Sequence, residues 1–303
     1  MSKRICVRAP ATSANLGCLF DCAALALGLY LEIHVAPHTG HDVHVSYRGV
    51  TPERIPLDET NLIVRTMRDA LSGWGKQRGF DLEIENQIPV GAGLGSSAAA
   101  IVSALAAAHV LADQVLLDEE LIARAAKIEG HPDNAAAAWL GGLTLSAQVG
   151  EKVLSISCPV PENLEWVLVI PDYPLSTGKS REVLPASYPR ADAVHNMQRA
   201  AILAAKLFSG TSDIPRALFD DRLHQPYRAP LIPGLSEVLE LHVPGLVGVC
   251  VSGAGPGILA LARQNGAAVG EAIRETLSRH GVNAGARVLC PDNKGAKGWT
   301  LPD

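Results

Sequence analysis

Residues Pro89–Ala100 read P-V-G-A-G-L-G-S-S-A-A-A. Gly91, Gly93 and Gly95 alternate with Ala92 and Leu94, then run through Ser96 and Ser97 into an alanine-rich segment. Glycine lets a backbone turn tightly and bring its N–H groups close to a ligand with no Cβ in the way. A helix starting at the serines would add unpaired donors and the positive end of a dipole, which favours phosphate. The two hydroxyls can bond a phosphate oxygen or ligate a metal bound to it. The stretch reads as a place to hold a polyphosphate. The alternative is a glycine-rich turn that merely lets an alanine-rich helix pack closely on a sheet.

Two well-known phosphate loops do not fit. A Walker loop ends in Gly-Lys-Ser/Thr, and there is no lysine here. The dinucleotide fingerprint needs a third glycine where Ser96 stands. A strand over Phe80–Ile88 leads into the loop, with Leu82, Ile84 and Asn86 alternating against Glu83, Glu85 and Gln87. The segment after it, Ser97–Leu111, is apolar nearly all round, which predicts a buried helix.

Farther out, Leu25, Leu27, Leu29, Leu31, Ile33 and Val35 recur at every second position and predict a long strand. Val43, Val45 and Tyr47 keep that period after a turn, suggesting a hairpin-like partner. Helical spacing over 61–71 predicts a helix that Asp58 or Thr60 could cap. Another is expected over Asp118–Ile128, which opens with acidic residues. Strands are predicted over Leu143–Val149 and Leu164–Ile170, a seam at Pro159 and Pro161, and a helix over Ala191–Phe208. Leu246–Leu261 reads as strand, glycine-rich turn, strand, which is also the pattern of a plain hairpin. Strands and helices alternate without a regular βαβ rhythm, so the fold class is α+β. The division expected is 1–158 and 159–303.

The 303 residues can bury a large core, and charged residues make up only 19% of them. A formal net charge of −5 gives no general attraction to nucleic acid or to an anionic membrane. The longest apolar run, Ala98–Ala112, is shorter than the ~20 residues a membrane span needs, and no secretory pattern opens the chain. The six cysteines lack Cys-x-x-Cys spacing, so neither a zinc site nor a disulfide framework is expected. A cytoplasmic protein is expected. Nothing sets its oligomeric state, and a homodimer stays open.

Chemistry is concentrated in a few further segments. Ala9–Asp21 clusters small and polar residues between predicted strands and could present Asn15 and Asp21 to a ligand, or be a solvated turn with Asn15 in a left-handed conformation. Glu129-Gly130-His131-Pro132-Asp133-Asn134 links two helices. One carboxylate beside a phosphate loop suits Mg²⁺, so Glu129 with Ser97 or Ser96 is a candidate metal site; the alternative is a helix connection capped by Asp133. Zinc on Glu129, His131 and Asp133 is disfavoured because such near neighbours converge poorly on one tetrahedral ion. Arg181 and Arg228 carry planar forks suited to a carboxylate, unless they are ordinary surface arginines.

Taken together the segments resemble the GHMP kinase superfamily (galactokinase, homoserine kinase, mevalonate kinase, phosphomevalonate kinase). Val90–Ala99 is similar to its phosphate loop, and Val251–Pro256 (V-S-G-A-G-P) to its C-terminal glycine motif. Within the superfamily the chain looks most like the homoserine kinases, through Ala9–Gly17, Glu129–Asn134 followed by Leu140–Gly142, Arg181–Arg190 and Leu223–Gly234.

The resemblance implies an N-terminal domain like ribosomal protein S5 domain 2 and a ferredoxin-like C-terminal domain. It also implies ATP- and Mg²⁺-dependent phosphorylation of the hydroxyl of L-homoserine, a step toward threonine. Pro89, Val90, Gly91, Ala92, Gly93, Leu94, Gly95, Ser96 and Ser97 would hold ATP, with Asn61 near the adenine. Ser97 or Ser96 and Glu129 would ligate Mg²⁺. Asp21 would take the substrate ammonium and Arg181 and Arg228 its carboxylate, while Asn15 and Asn134 orient the hydroxyl. His131 and Asp133 would support that shell. Relatives that use a general base, such as mevalonate kinases, carry lysine at the place of Thr12 and aspartate near Asn134; neither residue here can act as a base. One departure stands out: where the family reads N-L-G-P-G-F-D, Leu19 replaces the second glycine, so a stiffer loop or smaller pocket is expected.

Overall fold

The computed structural model describes residues 4–160, 164–299 and 301–302. Strands β1 (Ile5–Ala14) and β2 (Ala23–His38) run antiparallel, with Ile5 opposite Val35 and Ala14 opposite Ala24. From Leu27 onward β2 alternates buried and half-buried side chains, the signature of one face on the core. Ala9–Ala14 therefore belongs to a strand, and the expected loop shrinks to the residues after it. Next come β3 (Val43–Gly49), α1 (Leu62–Gly73) and β4 (Gly79–Asn86).

β3 is not a hairpin partner of β2. β4 pairs with β2, and β3 runs parallel to β4 on the outside. The intervening α1 carries the chain back over the sheet, so the two strands point the same way. Asn61, rather than Asp58 or Thr60, caps α1: its Oδ1 accepts from Ile63 N–H at 2.9 Å. Asp58 instead closes a local turn on Thr60.

Helix α2 (Ser96–Leu111) runs through the centre, packed by α1, β1, α3 (Asp118–Glu129) and α4 (Asp133–Leu140). Its alanines let these neighbours approach on every side, which accounts for an apolar surface without a polar stripe. β5 (Leu143–Val149) pairs with the start of β2 and with β6 (Lys152–Cys158), a strand that sequence reading missed because its alternation is weak and its side chains largely exposed.

The second sheet comes from β7 (Glu165–Pro171), β8 (Leu246–Val251), β9 (Ile258–Ala262) and β10 (Ala284–Leu289), in the order β10-β7-β9-β8 with every neighbour antiparallel. That order is ferredoxin-like. Between β7 and β8 lie α5 (Thr177–Glu182), α6 (Arg190–Phe208), α7 (Gln225–Arg228) and α8 (Leu235–Leu239); α9 (Gly266–Arg279) joins β9 to β10. One face of the sheet (Val169, Val251, Ile258) packs on α8 and α9. The other (Trp166, Leu168, Leu259, Leu261) joins the N-terminal core together with Leu203 and Leu207 of α6.

One hydrophobic core runs across the expected seam, of whose two prolines Pro161 lies outside the described residues. The C-terminal segment returns to the first sheet. Gly142 N–H donates to Asp292 O, Gly28 N–H to Cys290 O, and β11 (Leu301–Pro302) pairs with β1. No helix among the described residues is long and apolar enough to cross a membrane, and all six cysteines are free thiols.

Candidate active site

A cleft of about 560 Å³ opens between the two halves, walled by the glycine loop, the loop after β1, the Glu129–Asn134 connection, α5 and the β8–β9 turn. Gly91, Gly93 and Gly95 all sit at positive φ (+77°, +74° and +63°). A Cβ on Gly93 would fall 2.2 Å from Ser252 O, and one on Gly95 1.9 Å from Thr12 Oγ1, so only glycine fits.

The loop's carbonyls are spoken for. Val90 O accepts from Arg54, Gly91 O from Leu175 N–H, Ala92 O from Gly257 N–H, Gly93 O from Ser252 Oγ–H, Leu94 O from Thr12 N–H and Gly95 O from Ala99 N–H. Its amides are not: no N–H from Gly91 to Ala98 has an acceptor among the described residues. A backbone whose acceptors face the protein and whose donors are left over, at the start of a long helix, is an anion cradle. The β8–β9 turn is more than a plain hairpin, since Ser252 and Gly257 clamp this loop from behind.

At the far end of the loop, Thr12 Oγ1–H donates to Asn134 Oδ1 at 2.6 Å, with both side chains buried. Ser97 Oγ–H donates to Glu129 Oε1, which joins the first turn of α2 to the end of α3. His131 Nδ1 lies 2.6 Å from Asp133 Oδ1, and its Nε2 is 4.0 Å from Glu129 Oε2. Burial works against charge on His131, but the bond to Asp133 and the charges of Asp133 and Glu129 prevail, and its pKa is raised. Asp133 is the first residue of α4 rather than its cap, and its Oδ1 also accepts from Asn134 N–H at 2.7 Å. Its carboxylate orients His131.

On the opposite wall Asp21 and Arg181 form a two-pronged ion pair at 2.8 and 3.1 Å. Arg228 is only 1% exposed, contrary to an ordinary surface arginine. Its Nη1–H groups reach Gly253 O at 2.9 Å and His224 Nδ1 at 3.1 Å, and its Nε–H reaches Ser180 O at 3.3 Å. Burial, reinforced by Arg181, brings its pKa down to about 10. His224 Nε2 lies 2.7 Å from Gly17 O, which assigns the proton to Nε2 and the lone pair to Nδ1. Burial lowers the pKa of this histidine, so it is neutral. Phe20 stacks on His224 at 5.1 Å and lies under both arginines. Asn15 takes the left-handed conformation (φ +76°); its Nδ2–H donates to Gly253 O at 2.8 Å and its Oδ1 accepts from Asp21 N–H at 3.0 Å.

The structure thus brings together Asn15, Asp21, Glu129, His131, Asp133, Asn134, Arg181, Arg228 and the loop from Pro89 to Ser97, apart from Ala92, whose side chain is buried behind it. Asn61 does not join them. Both ends of its amide are used, Oδ1 as the cap of α1 and Nδ2–H donating to Pro56 O at 2.7 Å, and it is absent from the wall. Leu19 is 2% exposed in the main core and also absent from the wall, so it does not narrow the pocket. Sequence reading missed Arg54 and Lys179, which add positive charge to the wall. Lys179 was in view within the Ser176–Arg181 run; a lone Arg54 carried no signal.

The family model for the GHMP kinases N terminal domain matches residues 61–142, and that for the GHMP kinases C terminal matches 191–279. Homoserine kinase of Desulfitobacterium hafniense is 41% identical over 96% of this chain and 98% of its own length. Homoserine kinase of Carboxydothermus hydrogenoformans is 41% identical over 96% of each. The chain belongs to the GHMP kinase family. It is an ATP-dependent small-molecule kinase. The crystal structure of homoserine kinase from Cytophaga hutchinsonii superposes with a TM-score of 0.86 at 28% identity, covering 97% of each chain. Lactococcus lactis galactokinase, at 16% identity and a TM-score of 0.68, shares the fold.

The donor set at the start of α2 suits Mg²⁺. A hydroxyl and a carboxylate are already within bonding reach of one another beside the loop, and hard oxygen ligands in a small number are what this ion takes from a protein that leaves it to bind phosphate.

Proposed function

We propose that this kinase transfers the γ-phosphate of ATP to the side-chain hydroxyl of L-homoserine, giving O-phospho-L-homoserine, a step toward threonine. The reading rests on the leftover amides of Gly91–Ser97, which form a ready receptor for the triphosphate beside the Ser97–Glu129 pair. Mg²⁺ held by Glu129 with Ser97 or Ser96 would supply charge neutralisation on the phosphate oxygens. The Asp21–Arg181 pair matches a zwitterion in reverse: an amino acid's ammonium replaces the arginine beside Asp21, and its carboxylate replaces the aspartate beside Arg181. Arg228, anchored through Nε and Nη1, keeps Nη2 for the same carboxylate.

By the resemblance, Thr12 and Asn134 take the places at which base-using relatives carry lysine and aspartate, and neither titrates near neutral pH. Orientation and fixed donors therefore carry the rate. A loose phosphoryl-transfer transition state asks little of a base, and well-aligned positioning is worth up to ~7–11 kcal/mol. Asn15 and Asn134 set the angle of the attacking hydroxyl.

The test is ADP release by purified protein with Mg²⁺-ATP against a panel of small hydroxylated acids. Turnover that depends on L-homoserine is expected. Turnover of another hydroxy acid alone would assign the kinase to that substrate, and binding without ADP would make it a ligand sensor; either result defeats the proposal.

A further inference from the structure

We propose that His38, Asp42 and His44, at the junction of β2 and β3, form a binding site for a divalent transition-metal ion of the zinc type. None of them lines the cleft. His38 Nδ1 lies 3.1 Å from Thr39 O, so that nitrogen carries the proton and donates it to the carbonyl. Nε2 then bears the lone pair. It is shielded from solvent, has no hydrogen-bond partner, and faces Asp81 Oδ1 at 3.7 Å. His44 is arranged the same way: Nδ1 is 2.9 Å from Asp81 Oδ1, leaving Nε2 free at 3.5 Å from Asp42 Oδ2.

One ligand atom from each of His38, Asp42 and His44 lies within 4.8 Å of the other two. Neighbouring ligands of a tetrahedral ion with bonds of about 2.0–2.1 Å stand about 3.3–3.4 Å apart. The His44–Asp42 separation is too long for a hydrogen bond and close to that edge. A histidine whose second ring nitrogen is held by a carbonyl or a carboxylate is the usual form of a metal-ligating histidine, and here both are present.

The scaffold is tied down. Gly79 N–H donates to Gly40 O at 2.8 Å, Phe80 N–H to Asp42 O at 3.2 Å, and Arg68 to His41 O. Gly79 lies across from His38, and a Cβ there would fall 2.4 Å from His38 Cε1. The missing side chain is what lets the imidazole lie over β4. Two imidazoles and one carboxylate select zinc or cobalt over magnesium, which prefers an octahedron of oxygens.

The test is a Co²⁺ titration of the full-length kinase in excess Mg²⁺, followed by visible absorption, with Zn²⁺ thermal shifts alongside. One saturable equivalent and a rise in Tm are expected. His38→Ala and His44→Gln should abolish both while Mg²⁺-ATP turnover stays at the wild-type level; His44 is largely exposed, so folding should survive its replacement. Asp81→Ala, which removes only the orienting carboxylate, should weaken binding about 10-fold. No saturable signal in the wild type would overturn the proposal. So would a signal unchanged in His44→Gln, or one lost only in Glu129→Gln, which would put the metal in the cleft.

Discussion

Single side chains in the cleft separate chemistry from scaffolding. Glu129 makes one hydrogen bond, to Ser97, and lines the cleft, so Glu129→Gln should lower kcat by about 10²–10³-fold, the usual scale for removing one fixed charge-stabilising group, while KM for homoserine changes little. Near-normal turnover would take Glu129 out of the metal role. His131 has a raised pKa set against burial by Asp133 and Glu129. Its stabilisation is therefore fully present below the ordinary value of 6.5 and is lost as pH rises through the folded value. The Tm difference between wild type and His131→Gln should shrink as pH is raised across that window; a widening gap would show the sign to be wrong. Asn61 and Leu19 teach the opposite lesson. The resemblance put Asn61 near the adenine and Leu19 beside the substrate, yet one caps a helix and the other fills the core.

At the scale of elements, the glycine loop and the β8–β9 turn act as one unit. Gly93 has Ser252 O pressed against it, and its own carbonyl accepts from Ser252 Oγ–H at 2.7 Å. Gly93→Ala should cost at least ~1–3 kcal/mol from the positive φ alone, lower Tm, and raise KM for ATP by displacing the amide row. A Tm and an ATP KM both equal to wild type would mean that the loop is freer than its contacts imply. The same unit reaches Arg228 through Gly253 O and Asn15 through its amide. The glycine loop and the Asn15–Arg228 side of the cleft are thus tied to one turn.

For the whole molecule, the decisive feature is the return of the C-terminal segment to the first sheet. Asp292 spans the junction, with its N–H donating to Ala26 O and its carbonyl accepting from Gly142 N–H, and Lys297 bonds Asp118 at the start of α3. Removing everything after Leu289 should therefore unfold the N-terminal half as well, read as loss of the cooperative thermal transition and rapid proteolysis within 1–158. A truncated chain with a wild-type Tm would show the segment to be an appendage.

Local chemistry was enough to place much of this protein. Strand alternation in β2 and β4, the all-round apolar α2, and a glycine–serine loop at its start follow from periodicities of two and 3.6 residues and from which residues tolerate positive φ. Those signals act over a few neighbours, so a lone chain carries them. The parallel seat of β3, the weakly patterned β6, the pairing of Asp21 with Arg181 across 160 residues, and the use of the tail as a strand of the first sheet were settled only on folding. Each depends on which distant surfaces compete to cover one core and to satisfy one set of backbone groups, and no local pattern records that competition.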